Sequence, residues 1–128
     1  MKIWLTHVFV EDQARALEFY RDVLGFVKKD DVSMGEYRWL TVVSPDDPDG
    51  AQLLLEPNNN PAAKTFQMAL REQKIPSAQF QVKGIEAEVA RLKSRGARFS
   101  QEITEFPGYK FAILDDTCGN FIQIIQLG

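Results

Sequence analysis

The period of hydrophobic and polar positions changes along the chain. Residues 2–10 alternate. Ile3, Leu5, His7 and Phe9 share one side; Trp4, Val8 and Val10 share the other with Thr6. Side chains of a strand point alternately to its two faces, so apolar residues on both predict a strand covered on both faces. The period then lengthens. Ala16, Leu17, Tyr20 and Leu24 recur at helical spacing, Asp12 fits an N-cap, and Gly25 fits the position just past the helix. This predicts a helix of about three turns. Two strands follow, 36–43 and 51–56, separated by the turn cluster SPDDPDG at 44–50; a weaker strand is predicted over 26–32. Asn60 caps a further helix with Pro61 as its first residue. Phe66, Ala69 and Leu70 give that helix an apolar side, and Pro76 stops it.

The same plan then recurs. Residues 77–82 predict a strand. Ile85, Val89 and Leu92 share one face of a helix over 85–95, and Gly96 closes it. GARFSQEI, YKFAILD and NFIQIIQL supply three more strands, with DDTCGN at 115–120 as the last turn. The halves superpose: Val10 answers Val82, Leu17 answers Val89, Tyr20 answers Leu92 and Trp39 answers Phe111, each 72 positions on. Gly50 answers Gly119. A repeated βαβββ unit accounts for this spacing. The chain is therefore expected to be an α+β protein of two βαβββ modules, 1–57 and 77–128, joined by a connector helix at 58–76. The modules together form one structural domain. Curved sheets around a central groove would provide a small-molecule cavity, and a homodimer is expected.

Composition narrows the function classes. The chain has 128 residues, 45% of them hydrophobic, with 15 Lys and Arg against 18 Asp and Glu. No basic run exists, so nucleic acid and an anionic membrane surface have little electrostatic hold. No apolar stretch reaches the roughly 20 residues of a membrane span. The start, MKIWLTHVFVEDQ, reads as a strand and not as a signal peptide. One cysteine, Cys118, permits neither an internal disulfide nor a thiolate cluster, and fits a reducing cytoplasm.

FVEDQARALEFYRDVLGF at 9–26 resembles the first-module signature of the vicinal oxygen chelate superfamily. That group holds glyoxalase I, extradiol dioxygenases, methylmalonyl-CoA epimerase, and the fosfomycin and bleomycin resistance proteins. VKGIEAEVARLKSRG at 82–96 resembles the second-module counterpart, and DDTCGNFIQI at 115–124 its last turn and strand. The resemblance implies a glyoxalase/bleomycin-resistance-like fold. In metal-dependent members it also implies an ion held by the first and last strands of each module. The positions matching that pattern here are Leu5, Leu54, Ser77 and Gln123. Leucine offers no donor atom, and serine and glutamine are weak ligands beside imidazole and carboxylate. No metal cofactor is therefore expected at the family site.

His7 and Glu56 lie two positions beyond Leu5 and Leu54, so each keeps the face of the ligand position that is lost. If the two strands run parallel, the side chains become neighbours. Such a pair can serve as a general base or bind a polar ligand group. His7 and Glu56 are the catalytic candidates; Gln79, Gln123, Trp39 and Phe111 are the ligand-binding candidates. Parity does not decide whether Trp39 and Phe111 line the groove or lie under helices. Three functions stay open at this stage. The first is a binder of a small molecule in the groove, as in bleomycin resistance, without the metal quartet. The second is a metal-dependent lyase, isomerase or dioxygenase using displaced ligands such as His7, Glu56 and Gln123. The third is a dimeric structural or regulatory module. Whether the chain is an enzyme is thus undecided by its residues.

Overall fold

A computed structural model describes residues 1–128. The chain divides into two compact units, Met1–Phe66 and Gln67–Gly128. The first holds β1 (Leu5–Val10), α1 (Gln13–Leu17), β2 (Val27–Met34), β3 (Tyr37–Val43) and β4 (Gln52–Pro57). The second holds β5 (Ala78–Gln81), α3 (Ile85–Ser94), β6 (Phe99–Phe106), β7 (Tyr109–Asp115) and β8 (Phe121–Leu127). The connector helix is α2 (Pro61–Glu72), and the boundary between the units falls inside it. The four-stranded sheets share one plan: β1-β4-β3-β2 in the first and β5-β8-β7-β6 in the second. In each, the first strand runs parallel to the last, and the other pairs are antiparallel.

The first unit begins at Asp12, whose carboxylate accepts from the Arg15 backbone N–H at 3.0 Å and caps α1. The helix runs on as wider π-helical turns over Glu18–Val23. Phe19 and Tyr20 on these turns are both buried, while Leu24, expected on the buried stripe, stays half-buried. Gly25 takes φ +95° and ends the helix. Val8, Val10, Leu40, Val42 and Leu55 make the core with Ala16, Leu17 and Tyr20.

One expectation for β1 is corrected. Val8 and Val10 are buried, but His7 on the opposite face is exposed and Leu5 and Phe9 are half-buried. The face of the sheet opposite the helix is buried at its centre, at Thr41, Val43, Gln52 and Leu54, and is an open face around His7 and Glu56.

Gln13 shapes the far end of that face. β3 and β4 pair only through Thr41–Val43 and Gln52–Leu54. Beyond them the Gln13 amide donates to the Arg38 and Leu55 carbonyls at 2.7 and 2.9 Å and accepts from the Arg38 N–H at 3.0 Å. A side chain thus supplies the partners that a continued ladder would have supplied.

In the second unit, Ile85, Val89 and Leu92 of α3 are buried, as are Ala112, Leu114, Ile122 and Ile124 of the sheet. The Gln126 side chain accepts from the Ile85 N–H at 2.8 Å and so starts α3. The last turn is a buried polar knot. Asp116 accepts from the Cys118 and Asn120 N–H groups at 2.7 and 3.0 Å and from the Asn120 amide at 2.7 Å. Thr117 and Gly119 take φ of 64° and 99°. The Cys118 thiol is buried.

α2 differs from its expected face. Asn60 does cap it, accepting from the Ala62 N–H at 2.9 Å. However, Ala63 and Gln67 are the buried residues, while Phe66 is 56% exposed. The Gln67 amide donates to the Cys118 carbonyl and the Asn120 side chain at 3.0 and 3.1 Å. Two buried hydrogen bonds thus turn a polar residue inward, against the apolar pattern.

Two predictions follow from these contacts. Gln67→Leu removes both donors from buried acceptors. It is expected to cost about 1–3 kcal/mol in urea denaturation, with little change in slope. The second concerns β2. Asp31 is gripped by Arg38 through both carboxylate oxygens at 3.0 and 2.7 Å, with Lys28 adding a contact at 3.3 Å. These cations hold its pKa down to about 2, against an ordinary 3.8. The unfolded chain binds the proton more tightly, so this contribution to stability is present above pH 3.8 and lost as pH falls towards 2. Carboxyl NMR titration should place Asp31 near 2, and Arg38→Ala should return it towards 3.8.

Candidate functional site

The parallel register of β1 and β4 sets Leu5 against Gln52, His7 against Leu54, and Phe9 against Glu56. His7 and Glu56 project from the open face one step apart on neighbouring strands. Their side chains meet: His7 Nδ1 stands 3.0 Å from Glu56 Oε2. A carboxylate oxygen accepts only from a protonated nitrogen, so this spacing selects the Nδ1–H tautomer. The Nε2 lone pair is then left as an acceptor. The imidazole also lies against the Phe9 ring, with centroids 4.8 Å apart. The side chains are 52% and 39% exposed, so the pair adds no more than about 1 kcal/mol to stability. Its position on the open face matters more than its energy.

Trp39 lies on the same face. Its indole stacks on Trp4, with centroids 6.0 Å apart and planes 24° apart. Parity left its side open; the structure places it away from the buried Leu40 and Val42. A cavity of about 550 Å³ opens at this end of the unit. Phe9, Glu56 and Pro57 line it from the strand ends, with Asn59, Ala63 and Phe66 from the start of α2. The sequence reading missed this wall. Helical periodicity assigned Phe66 to a packed face, and only the inward turn of Gln67 leaves Phe66 at the cavity.

The second unit carries the other candidates. Gln79 and Gln123 are register partners, and the Gln123 amide donates to the Gln79 carbonyl at 2.8 Å. Phe111 is on their open face, stacked on Phe106 at 6.0 Å. The structure thus forms two separate pairs, one in each unit.

The family metal positions do not fit a divalent cation. Leu54 is buried and apolar, and Leu5 has no donor. The Ser77 hydroxyl donates to Asn120 at 3.2 Å, and Gln123, whose NH₂ bonds Gln79, has only a neutral carbonyl oxygen to offer. No group of three His, Cys, Asp or Glu side chains is placed to hold a metal ion.

The family model of the glyoxalase/bleomycin resistance protein/dioxygenase superfamily matches residues 3–124. This chain belongs to that superfamily. Among its relatives is the uncharacterized protein YurT of Bacillus subtilis (strain 168), 52% identical over 98% of this chain and 99% of that one. Of solved structures, UcmS2 matches with a TM-score of 0.84 at 28% identity, over 98% of this chain and 97% of its own. TnmS3, an antibiotic binding protein from Streptomyces sp. CB03234, matches with a TM-score of 0.76 at 23% identity. That match covers 100% of this chain and 97% of TnmS3. At that identity the likeness shows the fold alone. Within this fold, the loss of the superfamily's metal positions fits the binding of a small molecule without a metal quartet. No helix is long and apolar enough to cross a membrane.

The tautomer can be checked directly. In ¹⁵N spectra of the neutral protein, His7 should show a protonated Nδ1 and a bare Nε2. Glu56→Ala should shift the population towards Nε2–H, whereas Glu56→Gln, which keeps an acceptor, should shift it less.

Proposed function

We propose that this protein binds a small, partly apolar molecule on the open face of its first unit, with His7 and Glu56 as the polar end of the site. The observation that carries this reading is the His7–Glu56 contact at 3.0 Å beside an open cavity of about 550 Å³. Pockets of this size suit drug-sized ligands, which bind through apolar walls and a few placed polar groups. Phe9, Pro57 and Phe66 supply apolar wall, and Trp39 supplies a ring surface nearby. Glu56 holds the imidazole so that Nε2 accepts from a ligand O–H or N–H. The antibiotic-binding description of TnmS3, which shares the fold, supports the same class. Homodimer formation remains part of this proposal. Val27, Val32 and Met34 leave exposed apolar surface along β2, and sedimentation equilibrium checks whether it is covered.

A second reading has one observation behind it. The same free Nε2, backed by a carboxylate, is arranged as a general base. Proton abstraction from a bound ligand would show as deuterium uptake at that carbon in heavy water. This reading needs no metal ligand from the chain.

Binding is tested with 1-naphthol and 1-methoxynaphthalene, followed by tryptophan fluorescence and NMR. The hydroxyl should give 1-naphthol the tighter binding. His7→Ala should weaken it by about tenfold, which corresponds to ~1.4 kcal/mol, within the range of a hydrogen bond. EDTA should change nothing. Equal binding of both compounds, unaffected by His7→Ala, would remove His7 from the site.

A further inference from the structure

The second unit carries a polar device of a different kind. β5 and β8 run parallel and set Gln79 directly against Gln123. The Gln123 amide N–H donates to the Gln79 carbonyl at 2.8 Å. Each glutamine has one carbonyl and one NH₂. The bond between them uses one of each, which leaves the Gln79 NH₂ and the Gln123 carbonyl side by side. Exchanging oxygen and nitrogen in both amides gives the same result with the roles reversed. Either way, the pair presents one free donor next to one free acceptor.

A donor beside an acceptor complements the edge of a cis amide, where N–H and C=O lie on one side. An ionised carboxylate offers two acceptors, and one of them would face a carbonyl. An ammonium offers only donors, and one of them would face an NH₂. Both mismatches leave a polar group badly paired, which is how a site rejects a near relative.

Apolar residues set the rest of the surface. Ile113 is the register partner of Gln123 on one side. Ile125 follows Gln123 on the same face and is paired with Phe111. Phe111 stacks with Phe106 at 6.0 Å and 7° between planes, and Tyr109 lies 6.2 Å away. Strand spacing of about 4.8 Å and a two-residue step of about 6.7 Å put the aromatic surface roughly 8 Å from the amide pair. A flat ring system of two or three fused rings spans that length.

We propose that Gln79 and Gln123 form a recognition site for a neutral cis amide (a lactam, imide or carboxamide) carried on a flat aromatic body over Ile125 and Phe111. The proposal rests on reading the chain as a small-molecule binder, and names a ligand class for its second unit.

The test uses isoquinolin-1(2H)-one, its N-methyl derivative and 1-naphthoate, with ¹⁵N-labelled protein. The lactam should shift the Gln79 and Gln123 side-chain NH₂ signals and the backbone signals of Phe111 and Ile125. It should bind at least tenfold more tightly than the N-methyl compound, and 1-naphthoate should leave the glutamine signals in place. Gln79→Leu and Gln123→Leu should each bring the lactam and its N-methyl derivative within twofold of one another, with the remaining spectrum confirming the fold. Equal binding of the two compounds by the wild-type protein would overturn the proposal, independently of the variants. Discrimination that survives both leucine variants would also overturn it. Shifts confined to His7, Phe9 and Trp39 would overturn this inference while leaving the small-molecule reading intact. No shift on either open face from any of the three compounds would count against both.

Discussion

In each unit the first strand runs parallel to the last, and a parallel pair cannot be closed by a tight turn. The chain must leave the edge, cross over through a helix, and return by way of two antiparallel strands. That single requirement produces β1-β4-β3-β2 and β5-β8-β7-β6 alike. It also leaves one helix for one face. Val8, Leu40 and Leu55 are buried in the first unit, and Ala112, Leu114 and Ile122 in the second; the opposite faces keep open stretches, at His7 in the first and at Gln79 in the second. The parallel ladder then brings side chains from the two ends of a module to one spot on the open face. His7 meets Glu56 in one unit and Gln79 meets Gln123 in the other.

The two pairs answer different chemical demands on one backbone plan. An imidazole backed by a carboxylate presents a basic lone pair. Two amides in contact present a neutral donor and acceptor. Neither pair restores the metal ligands of the superfamily, because Leu5 and Leu54 carry no donor and Ser77 and Gln123 are weak ligands. The fold supports different chemistries through substitutions at a few open-face positions, so membership in the superfamily does not choose among them. The open end near Trp39 and Glu56 also depends on Gln13, whose amide satisfies the backbone where β3 and β4 part. Without such a partner, the parting would leave buried backbone groups unpaired.

Local signals in the sequence were reliable where the physics is local. Asp12 and Asn60 cap their helices, Gly25 and Gly119 take positive φ, and the strand at 109–115 lies where alternation put it. The spacing of Val10 to Val82 and Trp39 to Phe111 marked the repeat, because equivalent positions keep similar volumes. The failures share a cause. Periodicity turned Phe66 inward, yet hydrogen bonds to Cys118 and Asn120 turned Gln67 inward instead. Apolar residues on both sides of β1 suggested two covered faces, yet period two says which residues share a face and nothing about what covers it. The π-helical turns after Leu17 were equally invisible, since the spacing of Ala16, Leu17, Tyr20 and Leu24 is that of an ordinary α-helix.

The sequence by itself determined the repeated βαβββ plan, the superfamily resemblance and the loss of the imidazole and carboxylate ligands at the metal positions. Each of these is a matter of residue type at a spacing. It also placed His7 and Glu56 on matching sides of two strands. Only the tertiary structure decided that they touch, that Trp39 and Phe111 lie on open faces, and that Gln79 bonds Gln123. Those outcomes depend on which strands pair, in what register, and which face a helix covers. Hydrogen bonds between distant segments make those choices, and no local pattern records them.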